Sequence, residues 1–280
     1  MKKISNLIIL LAISAFLIPA CDIVEEPYLV PVSGGNGMDP GDNIRKILLE
    51  DYTGQQCPNC PEAAEVAHDL KADYGEQLII LAVHAGIYSV PETTGDFTAD
   101  YRTQVGTDLN NFYAFPGYPM GMVNRTEYGG SKIMLKDSWE SAVAVQAELE
   151  AQAAISITPT YNSGSRKLDC LLETEFLEDM DGTYNICAFI SESGIISPQK
   201  TKTGINLTYE HNHVLRASMN GTWGDAVGTD GQAVAGSKMT NSYSFTLPAE
   251  WNAENCSVIA FVYNTTTTEI VQAEEKGIIE

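Results

Sequence analysis

Cys57 and Cys60 enclose the dipeptide Pro58-Asn59 at the point where a helical pattern begins. Two thiols at this spacing suit thiol–disulfide exchange, in which one thiolate attacks a disulfide and the second cysteine resolves the mixed product. A helix N-terminus presents unpaired N–H groups and a partial positive charge, which favour a thiolate on Cys57. Pro58 and Pro61 fit the first helical turn, where a missing N–H is harmless. Cys57 precedes the helix and is expected to be the more exposed thiol, with Cys60 inside the first turn. The same spacing also suits a static disulfide closing a tight loop, a reading that stays open in any exported protein. His84 ends a strand nearby, where a structural role is expected. His211 and His213 are spaced to share one strand face, but two ligands make no metal site, and no metal is expected. Cys170, Cys187 and Cys256 are odd in number, so at most one pair forms among them; free core cysteines are the leading reading.

The elements that must position the pair follow from periodicity. Ile47, Leu48 and Leu49 open a strand, Thr53 to Gln56 form a loop, and a helix runs from Pro61. Leu78 to His84 is a continuous apolar strand of the kind found in a buried parallel sheet. Residues 96–113 read as a helix with Phe97, Tyr101, Val105, Leu109 and Phe112 at helical spacing. Met120 to Asn124 is the next strand. Residues 135–152 read as a long amphipathic helix with Leu135, Trp139, Ala142, Val143, Val145 and Leu149 inward. Strand and helix alternate, as in an α/β layer. At Ala153 the character changes to short strands separated by turn signals, including Ala154 to Tyr161, Leu168 to Phe176, Tyr184 to Ser191 and Ser257 to Asn264. That pattern predicts an antiparallel β-sandwich, with a glycine-rich loop over 218–241.

The first half resembles the thioredoxin superfamily. That family carries a buried carboxylate six residues before its first cysteine, here Asp51, and a cis-proline facing the disulfide, here Pro119 in Tyr118-Pro119-Met120. Gln56 stands where the family has a tryptophan, and Pro58-Asn59 is not its usual dipeptide. The resemblance implies that Cys57 attacks, Cys60 resolves, and Asp51 accepts the Cys60 proton. Glu50, on the opposite side of an alternating strand, is expected at the surface.

The N-terminus bears on location. Lys2 and Lys3 precede an apolar run from Leu7 to Leu17, too short to span a bilayer. It ends in Ile18-Pro19-Ala20-Cys21, which resembles a bacterial lipobox and implies lipidation of Cys21. Asp22, directly after it, resembles a sorting signal for the outer membrane. Pro- and Gly-rich residues 22–43 read as a tether. The net charge of −21 leaves nothing to neutralise phosphates, so nucleic acid is not an expected partner.

Thr53 to Pro61, Tyr118 to Arg125, His211 to Arg216 and Asn220 to Asp225 together resemble a bacterial lipoprotein family named after a twenty-eight-kilodalton outer-membrane protein. The expected organisation is a signal segment over 1–21, a tether over 22–43, an α/β thioredoxin-like domain over 44–152 and an all-β immunoglobulin-like sandwich over 153–280. The expected function is an outer-membrane-anchored thiol–disulfide oxidoreductase acting on exported protein thiols or disulfides, without a cofactor and touching the membrane through its lipid alone. The alternative, from a different class, is a non-enzymatic binding or adhesion lipoprotein whose Cys57–Cys60 bond is structural.

Overall fold

In the computed structural model, which describes residues 44–228 and 232–279, the chain is built around β1 (Ile47–Thr53), every residue of which is buried. The signal segment, Cys21 and the tether fall outside the described residues. A strand buried along its whole length needs neighbours on both edges and layers on both faces. Helix α1 (Cys60–Tyr74) carries the chain to β2 (Leu78–His84), which runs parallel to β1 in register from Ile47↔Leu78 to Thr53↔His84. After α2 (Gln104–Tyr113), β3 (Met120–Val123) closes the other edge of β1 antiparallel, and α3 (Trp139–Ala147) follows.

The remaining strands are β4 (Ala153–Asn162), β5 (Lys167–Phe176), β6 (Tyr184–Glu192), β7 (Ile195–Thr201), β8 (Gly204–His211), β9 (Val214–Ser218), β10 (Asp225–Val227), β11 (Lys238–Thr246), β12 (Cys256–Asn264) and β13 (Ile270–Gly277). Among the described residues they form three sheets. An eight-stranded sheet runs β13-β12-β6-β9-β2-β1-β3, with β10 on β6; a three-stranded sheet runs β11-β5-β4; β7 and β8 form a hairpin of their own.

This corrects the expected fold class. The chain does not make an α/β thioredoxin-like domain followed by an all-β immunoglobulin-like sandwich. It is mostly strand, and its principal sheet is mixed, drawing strands from both sides of residue 152. The joint is β9, which pairs with β2 in parallel at Ala82↔Val214 and with β6 antiparallel, reinforced by the Ala82 N–H donating to the His213 carbonyl at 2.8 Å. Left bare, the apolar β2 would be an edge open to other chains; β9 covers it.

Three cores follow from that sheet. On one face, α1 and α3 bury Ala63, Ala67 and Trp139 against Ile47, Leu49 and Ile80. On the other, Leu48, Tyr52 and Leu81 share a core with Phe189, Leu215 and Phe261 from the C-terminal half. The third core lies between the three-stranded sheet and the β6–β12 region, where Leu168, Cys170, Leu172 and Phe176 alternate inward along β5. The free cysteines Cys170, Cys187 and Cys256 are all buried.

Both later helices are shorter than their periodicity predicts. α2 starts only at Gln104, because Thr103 caps it by accepting the Gly106 N–H at 2.9 Å; Phe97 and Tyr101 are buried from the irregular segment before it, and Phe112 is exposed. In α3 the inward stripe is Trp139, Ala142, Val143 and Gln146, while Leu135, Val145 and Leu149 are exposed. A 3₁₀ turn at Lys136–Ser138 throws Leu135 out of phase with that stripe.

Candidate functional site

The cysteine loop leaves the end of β1 through Gly54. A Cβ there would lie 2.5 Å from the Tyr88 carbonyl carbon, so only glycine permits this approach of two backbones. The Gln56 N–H donates to the Tyr88 carbonyl at 3.0 Å and the Cys57 N–H to the Gly54 carbonyl at 3.0 Å. Cys57 and Cys60 are joined by a disulfide, with their Cα atoms 5.4 Å apart, and α1 begins at Cys60.

The expected exposure of Cys57 is not met: both cysteines are buried. Cys57 is 0% exposed and Cys60 2%. The cover on one side is the β7–β8 hairpin. Gln199 Nε2 donates to the carbonyls of Cys57 at 3.0 Å and Gly54 at 3.3 Å, and the Lys200 N–H donates to the Gln55 carbonyl at 2.8 Å. At the hairpin tip Lys202 pairs with Glu62 in the first turn of α1. From another side, Gln56 Nε2 donates to the Val90 carbonyl at 2.6 Å.

Asp51 is buried on β1, and burial pushes its carboxyl from 3.8 up to about 7. It lines a cavity of about 30 Å³ with Cys60, His84, Gln199, Tyr209 and His211. Asp51 Oδ1, His84 Nδ1 and His211 Nε2 are buried and have no hydrogen-bond partner among the described residues. Burial, then His211 and Arg216, push His84 down to about 3; burial pushes His211 to about 4 against bonds to the backbone of Pro198 and Ser197. Near neutral pH these imidazoles are uncharged, and the cavity floor is uncharged except for the ionised fraction of Asp51. His84 and His211 are neighbours, with ring centroids 5.6 Å apart. His213 does not share their face: β8 has ended, and His213 sits at φ 56° in the link to β9.

The Tyr118–Pro119 peptide is cis, and Pro119 stands one residue before the Tyr52↔Met120 pair, half-buried at the loop end of the sheet. Glu50 is not at the surface. β1 is central, so both of its faces are covered, and the wholly buried Glu50 carboxylate is held by Arg125. Gln199 and Tyr209 escaped the sequence reading, and His211 was read only alongside His213, because β7 and β8 were not recognised. The available signal was two strand-like stretches joined by only Lys202-Thr203, ahead of Gly204.

A family model described as outer membrane protein Omp28 matches residues 107–279, a stretch that begins after the cysteine loop. Among solved structures, HBP35 of Porphyromonas gingivalis is similar at 18% identity and a TM-score of 0.62, covering 85% of this chain and 76% of that one. A protein from Agrobacterium tumefaciens is similar at 13% identity and a TM-score of 0.53, covering 85% of this chain and 96% of that one. A domain of the outer membrane lipoprotein Omp28 from Porphyromonas gingivalis aligns at 21% identity over 46% of this chain and 88% of that one, with a TM-score of 0.32. No curated protein matches.

Proposed function

We propose, from the premise that the chain belongs to the Omp28 outer membrane protein family, that it is a non-enzymatic binding lipoprotein of the bacterial envelope whose Cys57–Cys60 bond is structural. The family places the protein in the outer membrane. Among the described residues no helix is long and apolar enough to cross a membrane. Attachment through acyl chains on Cys21 is part of the proposal and rests on the residues before that cysteine; several chains hold firmly where one binds marginally.

The observation that carries the reading is the burial of both cysteines, at 0% and 2% exposure. Exchange needs a thiolate to reach a disulfide sulfur directly. A redox enzyme keeps one sulfur open to its partner; here a glutamine, a backbone N–H and an ion pair lie across the loop.

A second reading is thiol–disulfide exchange with exported proteins. Asp51 favours it, because a carboxyl that gains and loses its proton near neutral pH lines the same cavity as Cys60. Equilibration with glutathione separates the two. A structural bond is expected below about −300 mV, and a value between roughly −120 and −270 mV would put the protein among working oxidoreductases.

A further inference from the structure

We propose that the β7–β8 hairpin is a hinged strap over the Cys57–Cys60 disulfide, latched at Gln199 and at its tip, and that lifting it is what exposes the bond. The inference rests on the reading of the disulfide as closed and adds what closes it.

Four observations carry it. First, the hairpin pairs with no other strand among the described residues, so no ladder of the large sheet holds it down. Second, its polar attachments to the loop are few and specific: Gln199 to the carbonyls of Cys57 and Gly54, the Lys200 N–H to the Gln55 carbonyl, and Lys202 to Glu62. Third, the strap is not packed flat. Between its far end and the start of α1 lies an open groove of about 420 Å³, lined by Pro58, Pro61, Glu65, Thr203 and Ile205. Ile205 and Leu207 on β8 stay exposed beside it, so lifting exposes little further apolar surface there. Fourth, the register of β7 against β8 breaks between Ser197 and Gln199, around Pro198. Proline withholds a ladder N–H and a register break bends a strand, so a hinge is built between the buried base, Ser197 and His211, and the latch at Gln199.

The strap accounts for the position of Gln199. A side chain only 3% exposed spends its two N–H groups on backbone carbonyls of the cysteine loop and of its own strand. Without those bonds the buried Cys57 carbonyl keeps only the long 3.4 Å bond from the Cys60 N–H, or the hairpin moves aside and water reaches it.

The test is the rate at which dithiothreitol reduces the bond in the folded full chain. One dithiothreitol thiolate attacks a cysteine sulfur and the other cysteine leaves as thiolate. The second dithiothreitol sulfur then displaces the protein from the mixed disulfide. Two electrons pass, both cysteines end as thiols and dithiothreitol as its cyclic disulfide; the freed thiols are counted by alkylation and mass spectrometry. Gln199→Ala is expected to accelerate reduction about tenfold, and the surface variant Lys202→Glu, which sets like charges together, by a few fold. Restoring the pair in reverse, as Lys202→Glu with Glu62→Lys, should return the wild-type rate. Wild-type rates in both single variants overturn the strap, as does acceleration that merely tracks global unfolding in urea. The glutathione equilibrium is read on the same samples. A potential in the oxidoreductase range with accelerated variants sinks the structural-disulfide reading and leaves the strap standing.

Discussion

Arg125 grips Glu50 through two hydrogen bonds, Nε to Oε2 at 2.7 Å and a terminal nitrogen to Oε1 at 2.8 Å, and neither side chain has exposed surface. The guanidinium carbon also lies 4.9 Å from the ring centre of Phe261 on β12. The pair therefore joins the first strand of the sheet to an aromatic wall supplied by the far end of the chain.

Removing one partner leaves the other charge buried alone. Arg125→Met is expected to lower the unfolding free energy by about 3–5 kcal/mol, and Glu50→Gln by a comparable amount. The double variant Glu50→Leu/Arg125→Met should recover much of the loss. Urea titration of the three variants checks this; a loss within ~1 kcal/mol for Arg125→Met would mean that the pair contributes little beyond packing.

Gly121 on β3 sits where a Cβ would stand 2.7 Å from the Trp139 ring and 2.8 Å from the Glu50 carbonyl oxygen. Neither neighbour is a flexible chain end. Gly121→Ala is expected to destabilise by about 1–3 kcal/mol through overpacking and to alter tryptophan fluorescence in the folded state. An unchanged denaturation midpoint would contradict the close approach.

Asp51 sets a pH dependence. Its carboxyl titrates near 7 folded and 3.8 when free of burial. The folded value is raised, so its contribution to stability is fully present below 3.8 and lost as pH rises through about 7. The gap corresponds to as much as about 4 kcal/mol. His84 and His211, held down to about 3 and 4, act in the opposite sense, losing stability as pH falls from 6.5. Asp51→Asn isolates the first effect: its stability relative to wild type should climb between pH 4 and 7 and then level off. A difference independent of pH would place the carboxyl in its ordinary range.

The disulfide closes a loop of only a few residues. Cys57→Ala/Cys60→Ala is expected to lose about 2 kcal/mol by chain entropy and still fold cooperatively. Loss of cooperativity in thermal unfolding would mean that the bond does more than tie the loop.

Cys21→Ser should release the protein from the membrane fraction, because lipidation at that cysteine is the proposed attachment. Retention of the variant on membranes, with an unmodified Cys21 in the wild type, would contradict it.

The local elements were legible in the sequence, and the long-range ones were not. The apolar run at Ile47, the helix after Cys60 and the alternation along β5 follow from spacing alone. Spacing does not say which sheet a strand joins. β6 and β12 read correctly as strands, yet their placement depends on β9, which reaches β2 through the single residue pair Ala82↔Val214. Glu50 was misjudged for the same reason: alternation exposes one face only when a strand has a free face, and that is decided by α1, α3 and β12. The hairpin over the cysteines was missed although Ile205, Leu207 and Tyr209 alternate along β8; that alternation marks no core face, because Ile205 and Leu207 are exposed.

Exported chains emerge from the membrane N-terminus first. β1 and β2 therefore arrive with an apolar edge bare, and it stays bare until Val214 and the strands after it have crossed. No stretch ending before β9 can seal it, so the nascent protein passes through an interval in which the β2 edge is a template for any strand nearby. The late pairing that completes the sheet also makes folding dependent on contacts distant in sequence, which are slow to form. The Ala82↔Val214 pairing is thus the step that closes this edge, and it comes late in the order of synthesis.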